Sequence, residues 1–206
     1  MEKSYPVYKT CCFTGHRPSG FAWNYEDKDC ALHRDYLLRL EYFIERAITY
    51  NKTQRFICGS ALGADADCAE TVIRLRNKYP YVHLEIAEAC EKYGESYAQK
   101  NKSRYLAIMA QADSVYNACK QYTPWCMARR NQYMVDNANM LIAIWNGEEK
   151  GGTFNTVKYA LKKGLPIRYL GLPPIKNVTQ FNNAPYYSAH LLTYAEQKSK
   201  DEQLIP

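Results

Sequence analysis

Three glycine-containing segments of the chain have residue types that suit an anion. In the first, Gly15 permits a tight turn, while His16 and Arg17 supply N–H donors. The second segment is 59–65 and the third is 151–156, where paired glycines precede hydroxyl and amide side chains. Glycine-rich turns at the start of a helix expose backbone N–H groups that bind phosphate. The candidate ligand-binding residues of the three segments are Thr14, Gly15, His16, Arg17, Gly59, Ser60, Ala61, Gly63, Asp65, Gly151, Gly152, Thr153, Asn155 and Thr156.

Each segment also has a purely structural interpretation. The first could be an ordinary turn that ends a strand and carries a surface arginine, and the third a glycine hinge with a threonine helix cap. In the second, Asp65 could cap its own helix or accept a hydrogen bond from ribose hydroxyls. Both interpretations stay open for each segment.

A fourth segment, residues 122–131, combines aromatic and basic side chains at the start of a predicted helix. Arg129 or Arg130 could bind phosphate through two hydrogen bonds, and Tyr122 or Trp125 could stack on a base. The alternative is a solvated arginine pair beside aromatic residues of the core. We favour ligand binding for Arg130 and core packing for Trp125. Tyr122, Arg129, Arg130 and Asn131 therefore join the candidate ligand-binding residues.

The elements that position these segments alternate between short apolar runs and longer amphipathic runs, a pattern typical of α/β proteins. We predict strands at Thr10–Phe13, Arg55–Cys58, Val82–Ala87, Ser114–Asn117, Met140–Ile144 and Pro166–Leu170. Helices are predicted at 32–50, Ala64–Asn77, Ser96–Ala112, Cys126–Asn137 and Thr153–Lys163. The fold class expected is a Rossmann-like open parallel sheet of about six strands with helices on both faces. In such sheets ligands bind beyond the carboxyl ends of the strands, where all four segments would meet.

One domain accounts for most of the chain. With 206 residues, of which 47% are hydrophobic, the sequence can form one well-buried core. We assign residues 1–170 to a nucleotide-binding domain and residues 171–206 to a C-terminal extension. The extension begins with a segment rich in proline and asparagine and leads to a short predicted helix at 186–197. A domain of this type is expected to form a homo-oligomer.

Charge and aromatic content favour a small anionic partner. The 27 basic residues exceed the 21 acidic residues by six, and they are spread along the chain instead of forming a basic arm. Most of the 19 tyrosines fall within predicted helices, where packing explains them. Nucleic acid is therefore the weaker alternative, although aromatic and basic residues together also hold single strands.

The cysteines and histidines argue against a metal site and against a disulfide framework. Eight cysteines are scattered without a CxxC pair, and four histidines stand alone, so the ligand spacing of a zinc site is missing. The longest apolar run, Met140–Trp145, is far too short to span a membrane. We expect a cytoplasmic protein with reduced thiols, no metal, no cofactor and no membrane partner.

Four motifs in one order resemble the YpsA-like family of the SLOG superfamily across residues 10–170. They are Cys12-Phe13-Thr14-Gly15-His16-Arg17-Pro18, the GxxxGAD loop 59–65 with Ala69-Glu70, the segment Arg130 to Asp136, and GGTxNTVxYA at 151–160. The resemblance implies a Rossmann-like fold related to the Lonely Guy phosphoribohydrolases and to DNA-processing protein A. It also implies a ligand that is a nucleotide or a nucleotide-derived signal, such as an ADP-ribose-type molecule.

The resemblance leaves the activity open. In the Lonely Guy enzymes an arginine at the start of a helix and a glutamate after a double glycine act on an N-glycosidic bond. Residues 127–130 keep the first element, but no glutamate follows Gly151-Gly152, so Asp65 or Glu70 would have to replace it. We therefore favour a sensor or sequestering protein over a hydrolase, and keep DNA binding as a third hypothesis. The family pattern also changes at 88–93, which puts the identity of the bound base or sugar in doubt.

Overall fold

The computed structural model describes residues 7–173 and confirms the predicted fold class. Its sheet has six parallel strands in the order β4-β3-β2-β1-β5-β6. The strands are β1 (Thr10–Gly15), β2 (Arg55–Gly59), β3 (His83–Glu88), β4 (Ser114–Asn117), β5 (Met140–Trp145) and β6 (Ile167–Gly171). The helices are α1 (Ala31–Thr49), α2 (Ala64–Arg76), α3 (Gln99–Met109), α4 (Cys126–Asp136) and α5 (Gly151–Lys162).

The helices cover both faces of the sheet. On each face an apolar cluster lies between the helices and the strands. One cluster joins α1, α2 and α3 to alternate strand residues such as Phe13 and Phe56. The other joins α4 and α5 to the intervening residues, for example Cys12 and Ile57. A strand that is covered on both faces of the sheet is expected to be apolar at every position, as β5 is.

The chain reverses its direction across the sheet at β1. From β1 to β4 the strands are added on one side, and β5 and β6 are then added on the other side of β1. Right-handed crossovers require the connecting helices to change face at such a reversal, as α4 and α5 do. The carboxyl ends of β1 and β5 therefore border an open crevice, the usual ligand site of this architecture.

Most predicted elements agree with the structure within one or two residues at each end. The helix predicted at Ser96–Ala112 differs, because a short 3-10 helix, Tyr93–Ser96, precedes α3. Tyr97 and Ala98 between them have extended backbone, which ends one helix before the next begins. The predicted helix at 186–197, with the extension beyond residue 173, lies outside the described residues.

Candidate functional site

A cavity of about 500 Å³ lies in the crevice between the carboxyl ends of β1 and β5. We call it the switch-point cavity. Its walls come from the segment after β1, the loop before α2, the first turns of α4 and the loop that leads into α5. Candidate residues that line it are Thr14, Gly15, His16, Arg17, Ala61, Asp65, Arg130, Asn131, Gly151, Gly152 and Thr153. The fold therefore brings together residues from all four predicted segments.

The first turn of α5 offers an open N-terminus to this cavity. Gly151 has a φ of 81°, a conformation that favours glycine, and α5 has no acidic residue in its first turn. A side chain added at Gly152 would meet no heavy atom within 4 Å. Because the first N–H groups of a helix have no partner within the helix, this turn can bind an anion with support from the helix dipole.

A buried ion pair forms another wall of the cavity. Nη1 of Arg130 donates to Oδ2 of Asp65 over 2.8 Å, and both side chains are 9% exposed. The same carboxylate oxygen accepts a hydrogen bond from the backbone N–H of Ala61. Asp65 is thus occupied by protein donors and holds the arginine in place.

Gly59 makes room for this ion pair. A β-carbon at Gly59 would overlap the guanidinium of Arg130 and the carboxylate of Asp65. This glycine is therefore required for the close approach of the two side chains.

Arg130 retains an unused donor. Its Nε is buried, and within residues 7–173 it has no hydrogen-bond partner. Buried polar groups in proteins are nearly always hydrogen-bonded, so this N–H is an exception within the described residues. Arg130 is buried because α4 directs Cys126, Arg130 and Met134, four residues apart, toward the sheet.

Backbone groups of the loop before α2 already bond to other parts of the protein. The N–H of Ala64 donates to the carbonyl oxygen of His16, and Gly63 has a φ of 92° where it packs against the backbone of His16 and Arg17. The first turn of α2 also carries two acidic residues, Asp65 and Asp67. This helix start is therefore less suited to a phosphate than the start of α5.

Asn131 and Thr156 connect the two helices that border the cavity. Nδ2 of Asn131 donates to Oγ1 of Thr156 over 2.9 Å, and that hydroxyl donates to the carbonyl oxygen of Gly152 over 2.8 Å. This chain of hydrogen bonds fixes α4 against the first turn of α5. Thr156 is buried and does not line the cavity.

His16 positions the loop between β5 and α5. Its Nε2 accepts a hydrogen bond from the backbone N–H of Asn146 over 3.2 Å. Burial lowers the pKa of His16, while Glu148 and the side chain of Asn146 act in the opposite direction. The imidazole is therefore neutral at neutral pH, with the proton on Nδ1, and serves as an acceptor for the loop.

Arg17 lies at the rim of the cavity. It is exposed, and its Nη2 donates to the hydroxyl of Tyr93 over 3.2 Å. Tyr93 is the last residue of the segment 88–93, in which the family pattern changes, and the first residue of the 3-10 helix. The changed segment thus contacts a basic residue of the site.

Several candidates lie away from the cavity. The expectation that Trp125 packs in the core is wrong, since this side chain is 74% exposed just before α4 begins. Tyr122 is 65% exposed, Arg129 points outward and contacts the thiol of Cys119, and Asn155 is exposed on α5. Gly59, Ser60 and Gly63 do not line the cavity.

Sequence reasoning missed part of the lining. Glu148 and Lys150 lie in the loop after β5 and border the cavity, as do Ser19, Gly20 and Met127. The rule that ligands bind beyond strand ends could have found Glu148 and Lys150, because they follow β5 directly.

Glu70, one of the two suggested replacements for the glutamate of the hydrolase motif, is already paired with an arginine. Its carboxylate is bound by Arg104, with both distances at 2.7 Å, and it does not line the cavity. The described part of the chain contains no group of three or more His, Cys, Asp or Glu side chains that could hold a metal. Among residues 7–173 no helix is both long and apolar enough to cross a bilayer.

Comparison with known proteins agrees with the motifs. The YpsA family model, described as the YspA SLOG family, matches residues 11–171. The chain belongs to this SLOG family. YpsA-family membership confirms the resemblance, and the match covers all of the sheet except Thr10 of β1.

Two bacterial proteins are similar to the chain over more than half of its length. The SPbeta prophage-derived protein YoqJ of Bacillus subtilis (strain 168) is 30% identical over 143 residues, which is 64% of this chain and 83% of YoqJ. A UPF0398 protein of Bacillus cereus (strain B4264) is 26% identical over 191 residues, which is 85% of this chain and 99% of that protein. Neither name states a ligand or an activity.

Proposed function

We propose that the switch-point cavity binds a phosphate-bearing, nucleotide-derived ligand, so that the protein senses or sequesters a nucleotide or an ADP-ribose-type signal. The observation that carries this proposal is the open N-terminus of α5, which borders the same cavity as the guanidinium-bearing side chain of Arg130. A phosphate oxygen is an acceptor that could satisfy both the guanidinium and the helix N–H groups.

The cavity is bordered by both cations and carboxylates. This mixture supports a ligand that is anionic in one part and uncharged in another. Three cations, Arg17, Arg130 and Lys150, border it together with two carboxylates, Asp65 and Glu148. Since Asp65 is paired with Arg130, the remaining positive charge lies at Arg17 and near the start of α5. About 500 Å³ is enough for a nucleotide-sized molecule.

The site favours binding over hydrolysis. Cleavage of an N-glycosidic bond benefits from a free carboxylate that stabilises positive charge on the sugar or acts in proton transfer. No acidic residue lies on α5, Glu70 is bound to Arg104, and Asp65 is bound to Arg130. Glu148 is the remaining carboxylate of the cavity, so the enzyme alternative depends on this residue, which lies outside the family motif.

A thermal-shift screen with mass analysis tests the proposal. The probes are nucleoside mono- and diphosphates, ADP-ribose, cyclic dinucleotides and cyclic ADP-ribose isomers, each compared with its unphosphorylated nucleoside. A ligand at 100 times its Kd should add about 2.7 kcal/mol of stability. We expect phosphorylated compounds to raise the Tm and to be recovered intact. Release of free base would instead support the hydrolase, and a response to the nucleosides alone would contradict phosphate binding.

A second candidate function is supported by exposed aromatic residues outside the cavity. Tyr122 and Trp125 are exposed near Arg129, an arrangement that can stack on single-stranded DNA. Binding of this kind weakens steeply as salt rises. Fluorescence anisotropy with a labelled oligonucleotide at two salt concentrations, repeated with Trp125→Ala, would detect it. Equal anisotropy with and without protein would exclude this candidate.

A further inference from the structure

Glu148 places a carboxylate at the switch-point cavity that takes part in a long ion pair but accepts no hydrogen bond within residues 7–173. It lies in the loop between β5 and α5, three positions before Gly151, and its side chain is 25% exposed. Its nearest cation, Nζ of Lys150, is 3.7 Å away, beyond hydrogen-bond distance. Within the structurally described segment 7–173, this carboxylate has no hydrogen-bond partner, whereas Asp65 has two.

The backbone of Glu148 is held rigidly. Its N–H donates to Oδ1 of Asn146 over 3.1 Å, and its carbonyl oxygen accepts from Nε1 of Trp145 over 3.0 Å. Asn146 is fully buried and is itself bound by His16. Gly147 has a φ of 82°, which favours glycine and turns the chain between these anchors. The loop therefore presents the carboxylate from a preorganised backbone.

A carboxylate in this position determines which chemical groups of a ligand can lie beside the bound phosphate. It repels a second anionic group placed directly against it, and it accepts hydrogen bonds from hydroxyl groups. Its two oxygens can accept from both hydroxyls of a vicinal diol, and acidic residues recognise ribose in this way in other dinucleotide-binding Rossmann folds.

We propose that Glu148 binds the ribose hydroxyls of the ligand and makes the site selective for ribonucleotides over their deoxy forms. This inference rests on the proposed function, because it assigns the sugar subsite of the same cavity. It also moves the sugar-binding role from Asp65, which the ion pair with Arg130 occupies, to Glu148.

Calorimetric titration of the full chain with three probes tests the assignment. Inorganic pyrophosphate reports the anion site alone, while ADP and 2′,3′-dideoxy-ADP differ only in the ribose hydroxyls. We expect the unmodified protein to bind ADP about tenfold or more tightly than dideoxy-ADP, the effect of hydrogen bonds to a charged group. Glu148→Gln should reduce this preference below about threefold and leave pyrophosphate binding intact.

Glu149→Gln is the matched control. It removes the same charge from the next residue, which is exposed and does not line the cavity, so the preference for ADP should remain. Pyrophosphate binding with equal affinities for ADP and dideoxy-ADP would overturn the role of Glu148 and leave phosphate binding standing. Absence of binding by all three probes would contradict both proposals. Release of adenine from AMP that Glu148→Gln abolishes would overturn the binding role and make Glu148 a catalytic residue.

Discussion

Nη1 of Arg130 lies 2.8 Å from Oδ2 of Asp65, and this ion pair packs directly over the α-carbon of Gly59. The pair joins α4 to the start of α2 across the carboxyl end of β2. It also fixes the guanidinium so that Nε stays buried without a partner. One interaction thus joins two helices and holds Arg130 at the wall of the switch-point cavity.

Substitutions of Arg130 and Asp65 should show a large coupling energy in a double-mutant cycle. Arg130→Met and Asp65→Asn each leave an uncompensated buried charge, so we expect each to lower the free energy of unfolding by about 3 kcal/mol or more. The double variant should lose less than the sum, with a coupling energy of about 1–3 kcal/mol. Urea denaturation of the four proteins gives this value.

An exposed ion pair provides the control for this double-mutant cycle. Arg74 and Glu41 are equally close at 2.7 Å, but their side chains are 52% and 43% exposed. Their coupling energy should be below about 1 kcal/mol. Equal coupling energies for the two pairs would show that burial does not strengthen the Arg130–Asp65 interaction.

Gly59→Ala should destabilise the fold through overlap with the ion pair. We expect a loss of about 1–3 kcal/mol in the free energy of unfolding, as for other overpacked sites. Gly152→Ala is the comparison, because its added methyl group meets open space and should change stability by about 0.5 kcal/mol or less. If both variants unfold at the same urea concentration, the packing role of Gly59 is wrong.

Acid should loosen the loop that His16 holds. Because burial lowers the pKa of His16 from 6.5, the unfolded chain binds its proton first as the pH falls. The stability contributed by neutral His16 is therefore fully present above pH 6.5 and is lost below it. The bond to Asn146 then breaks, since a protonated imidazole has no acceptor.

His16→Gln isolates this effect, because an amide oxygen can accept the same hydrogen bond without titrating. We expect the variant to lose less stability than the unmodified protein between pH 7.5 and pH 5.5 in urea denaturation. The pKa of His33 is lowered by burial and by Lys28. His33 therefore makes the free energy of unfolding fall with decreasing pH in both the unmodified protein and the variant. A slope that His16→Gln leaves unchanged would contradict the assignment.

The fold could be predicted from the sequence because the signals are local. Strand β4 has the predicted bounds, Ser114–Asn117, and the apolar run of β5 is continuous, as a doubly covered strand requires. The start of α3 could not be predicted in this way. Tyr97 and Ala98 are compatible with a helix, and only their extended backbone separates the two helical segments.

The site was predictable in its position but not in its pairings. Glycine segments after strands identified the edge of the sheet, since backbone approach is a local requirement. The bond between Asp65 and Arg130 spans 65 positions, so no local pattern shows that the carboxylate is already occupied. Helical spacing of four residues from Cys126 would have separated Arg130 from Arg129 and would have excluded Trp125 from the buried face.

The central claim is that the open N-terminus of α5 binds the phosphate of the ligand, and Gly152→Asp tests it most directly. The carboxylate enters open space at a helix start, where it should preserve stability or raise it by about 0.3–1 kcal/mol. Calorimetric titration with pyrophosphate and ADP should show binding to the unmodified protein and to Gly152→Ala, and a loss of at least about tenfold in Gly152→Asp. Unchanged affinity in a folded Gly152→Asp protein would contradict the account.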